Sequence, residues 1–231
     1  MTGTQIVLPT TFSGSGVEGL PFILHGLPGP APAHRYLPYT LTTALGANVG
    51  ALPDLNGGIT LARGLVDQQP TLENSSSGLP PHLLFSITPA KKLLQGSKAA
   101  PAAITMAVVF EFTTNPSAQY VARYGGKNIA INGGGNVLVG DSLTSSAPAI
   151  GTARKVVIAR FSAADTKVWV NGAVTAGAGS APSAADPTVL WGMNANTAAF
   201  RGYEFALWDQ ALTDAQATAL NTALMTEWQV A

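Results

Sequence analysis

Between Ile104 and Phe112 every second residue is apolar. Ile104, Met106, Val108, Phe110 and Phe112 alternate with Thr105, Ala107, Val109 and Glu111. A period of two is the repeat of a β-strand, whose successive side chains point to opposite faces. This segment therefore lays one strongly buried face on a core.

Other strand-length runs follow, separated by turn signals. His82 to Ile87 is apolar and bounded by Pro80-Pro81 and Pro89. Tyr120 to Tyr124 and Lys127 to Ile131 flank Gly125-Gly126, a two-residue hairpin signal. Asn132-Gly133-Gly134-Gly135-Asn136 leads into Val137-Leu138-Val139. This glycine-rich loop lies between strands and opens no helix, so it reads as a turn and not as a phosphate cradle. Residues 154–161 are nearly continuous apolar strand, and Lys167 to Val170 follows. Asn171-Gly172 then makes a tight turn into Ala173-Val174-Thr175. Residues 176–187 are Gly, Ala, Ser, Asp and Pro and read as a loop. Thr188 to Trp191 and Phe200 to Trp208 are two further strands around a polar loop, Gly192 to Ala199.

Only one helix is expected. Thr213-Asp214-Ala215-Gln216 is a capping box, in which a threonine hydroxyl and a glutamine three residues on satisfy free N–H groups at a helix start. Ala217, Leu220, Leu224 and Trp228 then recur at helical spacing and form one apolar stripe over 213–228. The first 50 residues differ from the rest. Leu27-Pro28-Gly29-Pro30-Ala31-Pro32-Ala33 cannot be helix or central strand, because proline lacks the donor and fixes φ. Residues 1–50 are therefore either an arm that docks on a neighbour or an irregular first layer, with Leu20 to His25 as one edge strand. No internal repeat and no long linker divides the chain. Residues 1–231 read as one all-β domain, an antiparallel jelly-roll β-sandwich closed by one C-terminal α-helix.

Composition narrows the function. Charged residues make up 10% of the chain and the net charge is +0, against about 25% charged in an average soluble domain. Neutrality favours association. The scarcity of charge implies either a surface covered by partners or one made polar by Thr, Ser, Asn and Gln. It leaves no basic footprint for nucleic acid. With no cysteine, disulfides and thiolate zinc sites are excluded. His25, His34 and His82 show no metal-binding spacing. No apolar run approaches the roughly 20 residues of a membrane span. The N-terminus has no basic stretch followed by an apolar core, so synthesis in a cytoplasm without a cleaved signal is the expectation.

Three stretches in order resemble the concanavalin A-like, laminin-G-like jelly rolls. The first is Leu52-Pro53-Asp54-Leu55-Asn56-Gly57-Gly58, followed by Gln69-Pro70-Thr71-Leu72 and Leu83-Leu84-Phe85. The second is Val156 to Phe161 with Lys167-Val168-Trp169-Val170-Asn171-Gly172. The third is Phe200 to Trp208 running through Asp209-Gln210-Ala211-Leu212-Thr213-Asp214. The resemblance spans roughly residues 50–228. It implies domains of the kind found in virion proteins of tailed bacteriophages, where they bind virion neighbours and a host surface glycan.

Enzymes of that superfamily that cleave glucans carry an acidic cluster of the type E-x-D-x-E on one strand. Here the acidic residues stand mostly alone, so no catalytic residue is assigned. Thr11 to Gly16 is a loop of small residues and not a nucleophile elbow. Asp54 and Asn56, or Asp141, have the oxygen chemistry of a calcium site, but Asp54 and Asn56 read first as an Asx turn. No metal or cofactor is assigned. Sugar binding needs an exposed aromatic ring beside amide and charged groups. Trp191, Asn194, Asn196 and Arg201 surround one loop and are the expected carbohydrate-binding residues. The expectation is thus a non-enzymatic structural or adhesion protein of a bacteriophage virion (tail fibre, baseplate or capsid decoration), assembled in the host cytoplasm as a homo-oligomer. The alternatives are a carbohydrate-binding module of a bacterial surface protein and a glycan-cleaving hydrolase.

Overall fold

The alternating segments are strands of two antiparallel sheets. The computed structural model describes residues 26–75, 79–88, 92–140, 142–192 and 198–230. The expected edge strand Leu20 to His25 lies outside them. In chain order the strands are β1 (His34–Tyr36), β2 (Ala51–Leu52), β3 (Leu61–Ala62), β4 (Thr71–Glu73), β5 (His82–Phe85), β6 (Leu93–Ser97), β7 (Ile104–Phe112) and β8 (Gln119–Tyr124). They continue with β9 (Lys127–Ile131), β10 (Val137–Val139), β11 (Leu143–Thr144), β12 (Lys155–Phe161), β13 (Asp165–Val170), β14 (Ala173–Ala178), β15 (Thr188–Gly192) and β16 (Phe200–Trp208). Among the described residues one α-helix, α1 (Asp214–Glu227), follows β16.

The first sheet runs β14-β13-β12-β7-β16-β5-β4, and the second β11-β10-β9-β8-β15-β6-β3-β2. Strand β16 is the seam of the first sheet. One of its edges pairs with β7 along its length. Its other edge is shared: β5 takes residues 200–202 and β1 takes 205–207. Between the sheets lies a core of Met106, Val108, Phe110, Phe161, Phe200 and Phe205, with Leu94, Val121, Tyr124, Ile129 and Trp191 from the second sheet.

The first sheet is covered on its outer side as well. Ala107, Val109, Val156, Ile158, Trp169, Ala206 and Trp208 pack there against Ala217, Leu220, Leu224 and Trp228 of the helical stripe. This corrects the expectation that β7 buries one face: all its residues except Glu111 are buried, because α1 roofs the second face. The capping box forms as expected. Thr213 Oγ1 accepts from Gln216 N–H and Gln216 Oε1 accepts from Thr213 N–H. Arg160 docks the helix start, donating to Leu212 O at 2.8 Å and to Asp214 at 2.7 Å.

The Pro/Gly-rich segment belongs to this outer layer in its described part. Trp208 Nε1 donates to Pro30 O and Ala33 N–H to Leu207 O, both at 2.8 Å. Leu27 packs on the cluster under α1. Residues 26–36 thus form an irregular first layer and enter the sheet at β1. Asn171 and Gly172 take φ of 46° and 87°, and Gly125 and Gly126 take 58° and 74°. These positive values at both central residues are what the two hairpin turns need. Strand β14 continues to Ala178, three residues into the expected loop.

Candidate functional site

Alternation on β6 and β15 decides which side chains face outward on the second sheet. Leu94, Val189 and Trp191 enter the core. Leu93, Gln95, Thr188 and Leu190 therefore point to the opposite face. A register shift in β8 between Tyr120 and Ala122 puts both Val121 and Ala122 in the core. Tyr120 and Arg123, three residues apart, are thereby brought to the same outer face.

The registers align Ala62, Gln95, Leu190 and Arg123 in one row across β3, β6, β15 and β8. Arg63 follows Ala62 at the end of that row. Together with Leu93, Tyr120 and Thr188, these outward side chains line an open groove with a volume of about 310 Å³. Three inter-strand spacings of about 4.8 Å set the β3 and β8 backbones about 14 Å apart, so an arginine stands toward each end.

The two arginines are held differently. Arg123 pairs with Asp186. Hydrogen bonds from Thr188, then that from Arg123, keep the Asp186 carboxyl below its ordinary range. Arg63 donates to the Gln68 amide oxygen, and Gln69 Nε2 donates to Arg63 O at 2.7 Å. The Nε–H of each arginine is buried and meets no acceptor. The groove thus offers a half-buried aromatic ring, an amide, a hydroxyl, two guanidinium groups and no carboxylate in its lining. It suits a polar, ring-shaped ligand and supplies no acid–base pair.

The residues expected to bind sugar do not gather there. The Trp191 ring is fully buried in the core, 5.5 Å from Phe85 and 5.8 Å from Phe205 between centroids. It cannot present a face to a sugar, which corrects the expectation of an exposed tryptophan. Arg201 lies on the other sheet, donating to Glu111 at 2.8 Å beside Arg154. Asn194 and Asn196 lie outside the described residues.

Two buried polar clusters went unrecognised in the sequence. In the first, Arg35 Nε donates to Glu204 at 2.7 Å, Trp228 Nε1 donates to the other Glu204 oxygen at 2.8 Å, and Glu227 lies 3.7 Å from Arg35. Burial and the charge of Glu204 push the Glu227 carboxyl up to about 7, while Arg35 pulls it down. Both carboxylates face Arg35, and the cluster ties β1, β16 and the helix end together. In the second, Asp54 accepts from the N–H groups of Arg35, Asn56 and Gly58 and bonds His34 Nδ1 at 2.6 Å. Burial acts to raise the Asp54 carboxyl, and these bonds overcome it and hold it below the usual range.

Asp54 and Asn56 form the turn expected of them. His34 Nε2 lies 2.8 Å from Lys98 Nζ, which also pairs with Asp209. An ammonium only donates, so Nε2 is occupied as an acceptor. The Asp–His pair thus leads to a lysine and not to a nucleophilic hydroxyl. Among the described residues no group of three or more His, Asp or Glu side chains is arranged to hold a metal ion. Asp141 lies outside them.

No family model matches the chain, and no curated protein matches it either. Solved structures do resemble it. A botulinum neurotoxin type C structure, whose cell entry is described as dependent on two ganglioside molecules, aligns with a TM-score of 0.57 at 10% identity, over 77% of this chain and 51% of the other. The binding domain of botulinum neurotoxin DC in complex with SialylT aligns at 0.55 and 11% identity, over 77% and 51%. Trypanosoma rangeli sialidase in complex with sialic acid aligns at 0.57 and 12% identity, over 84% and 33%. The chain spans about half the length of these neurotoxin chains and a third of the sialidase. At such identities the likeness establishes the fold: an antiparallel β-sandwich shared with receptor-binding domains, here carrying one C-terminal helix.

Proposed function

We propose that the protein is a non-catalytic glycan-binding module and that the groove on the outer face of the second sheet is its binding surface. The observation that carries this reading is Tyr120 set beside Arg63, Gln95, Arg123 and Thr188 in one open groove. An aromatic ring with fixed polar groups around it is a sugar-binding chemistry. The sandwich shared with ganglioside- and sialic acid-associated structures is in keeping with it. The concanavalin A-like, laminin-G-like relationship drawn from the sequence belongs to the same reading. Tyr120→Ala is expected to weaken binding at least tenfold by calorimetry against the best ligand of a glycan array, with thermal stability retained. Unchanged affinity in this variant would remove the groove from consideration.

A second reading places the domain in a bacteriophage virion as an adhesive, self-associating subunit. Strand β14, Ala-Val-Thr-Ala-Gly-Ala, supports the self-association in that reading. It ends its sheet, carries no charge, and exposes Val174. Edges of this kind invite pairing with another chain. Light scattering after size exclusion tests it, and a strict monomer at all concentrations counts against the homo-oligomer.

A further inference from the structure

Five of the six arginines pair with a carboxylate: Arg35 with Glu204, Arg123 with Asp186, Arg154 and Arg201 with Glu111, and Arg160 with Asp165 and Asp214. Arg63 is the exception among the described residues. It donates instead to the neutral amide of Gln68. Arg63 lines the groove, and its Nε–H is buried without an acceptor. A guanidinium carries only donors, so this cost is relieved only by an acceptor. The groove is also the place where Arg123, already paired at one terminal nitrogen, keeps a second buried N–H unmet. Donors in surplus and no acid in the lining make the groove incomplete without an anion.

Resting on the glycan-binding reading above, we infer that the groove selects glycans bearing a carboxylate sugar, with Arg63 as the residue that receives the carboxylate. The guanidinium offers two parallel N–H groups in one plane, and a carboxylate offers two oxygens at matching spacing. Arg123 is braced by Asp186 and contacts the body of the ligand beside Tyr120. Leu93 and Leu190 supply an apolar floor between the two arginines. The arrangement assigns selectivity to Arg63 and general affinity to Tyr120 and Arg123.

The test is an array on which sialylated and uronic acid-terminated glycans are each printed beside their carboxyl-reduced counterparts, together with sulfated glycans that lack a carboxylate. The wild-type protein is expected to bind at least one acidic glycan tenfold or more above its reduced form, with a preference that shrinks as salt rises. Arg63→Ala is expected to bring the acidic form down to the level at which the same variant binds the reduced form. Arg63→Lys, which keeps the charge and loses the planar fork, is expected to restore part of the preference. Thermal midpoints of both variants, equal to wild type, show that the loop of residues 63–69 remains folded. Equal binding of acidic and reduced forms would overturn the carboxylate assignment and leave glycan binding standing. A stronger response to sulfated glycans would overturn it in the same way. Silence across the whole array would overturn the glycan-binding reading itself and this inference with it.

Discussion

Gly202 shows how one missing side chain sets the core. It lies in β16 beside the register shift between Gly202 and Glu204. A Cβ there would stand 2.7 Å from Trp191 and 2.9 Å from Phe85, inside van der Waals contact. The aromatic stack of Trp191, Phe85 and Phe200 occupies the space that a side chain would need. Gly202→Ala is expected to destabilise the fold by about 1–3 kcal/mol, the usual cost of overpacking. Urea unfolding followed by tryptophan fluorescence checks it; an unchanged midpoint would mean the aromatic stack yields freely. The same register shift turns Tyr203 and Glu204 to one face, so a strand that alternates in sequence breaks its own alternation. Glu204 is consequently buried among Arg35 and Trp228, whereas simple alternation with Tyr203 and Phe205 gave no hint of its partners.

At the scale of elements, α1 is the part of the outer layer most legible from sequence. Its cap residues lie three apart and its stripe recurs locally, so neither depends on distant chain. Its far end is another matter. Glu227 reaches the Arg35–Glu204 pair, which joins residues 169 positions apart. With its carboxyl pushed up to about 7, Glu227 binds a proton more tightly folded than unfolded. Its contribution to stability is therefore full below about pH 4.5 and is lost as pH rises through 7. Glu227→Gln mimics the protonated form. It is expected to match wild type near pH 4.5 and to exceed it by about 2–3 kcal/mol at pH 8. The comparison between variant and wild type is the readout, because His82 tilts the wild-type curve the other way. Burial, then the charge of Arg201, lower that imidazole to about 4, so its contribution is lost as pH falls from 6.5 toward 4. Denaturation midpoints from pH 4.5 to 8 decide it, and a constant difference between the two proteins would contradict the Glu227 assignment.

On the scale of the whole molecule, strands and turns were readable because their signals are local. Ile104–Phe112 follows from its period-two run, Lys127–Ile131 from the Gly125-Gly126 turn before it, and Phe200–Trp208 from a strand-length apolar run. Shorter strands β2, β3 and β11, two residues each, carry too little pattern to be seen. The groove was not legible for a stronger reason. Arg63, Gln95, Tyr120, Arg123 and Leu190 come from distant stretches and meet only through sheet order. Tyr120 and Arg123 moreover share a face only because of an irregularity in β8. Trp191 misled because a loop-flanking tryptophan beside polar residues looks exposed until its strand partners are known. Local sequence thus reports where strands lie, while the groove is a property of which strands become neighbours.

That β16 is the seam of its sheet has a consequence for how the molecule is made. During synthesis β1, β5 and β7 emerge well before residue 200, and each leaves the ribosome without the neighbour that will join it to the others. Until residue 208 has been added, the sheet exists as separate halves, with the apolar flank of β7 bare. Pairings this distant along the chain make for slow folding, and unpaired strands of this kind are where nascent chains stick to one another. Completion of this sheet therefore waits on β16, and the yield depends on what shelters β1, β5 and β7 until it arrives.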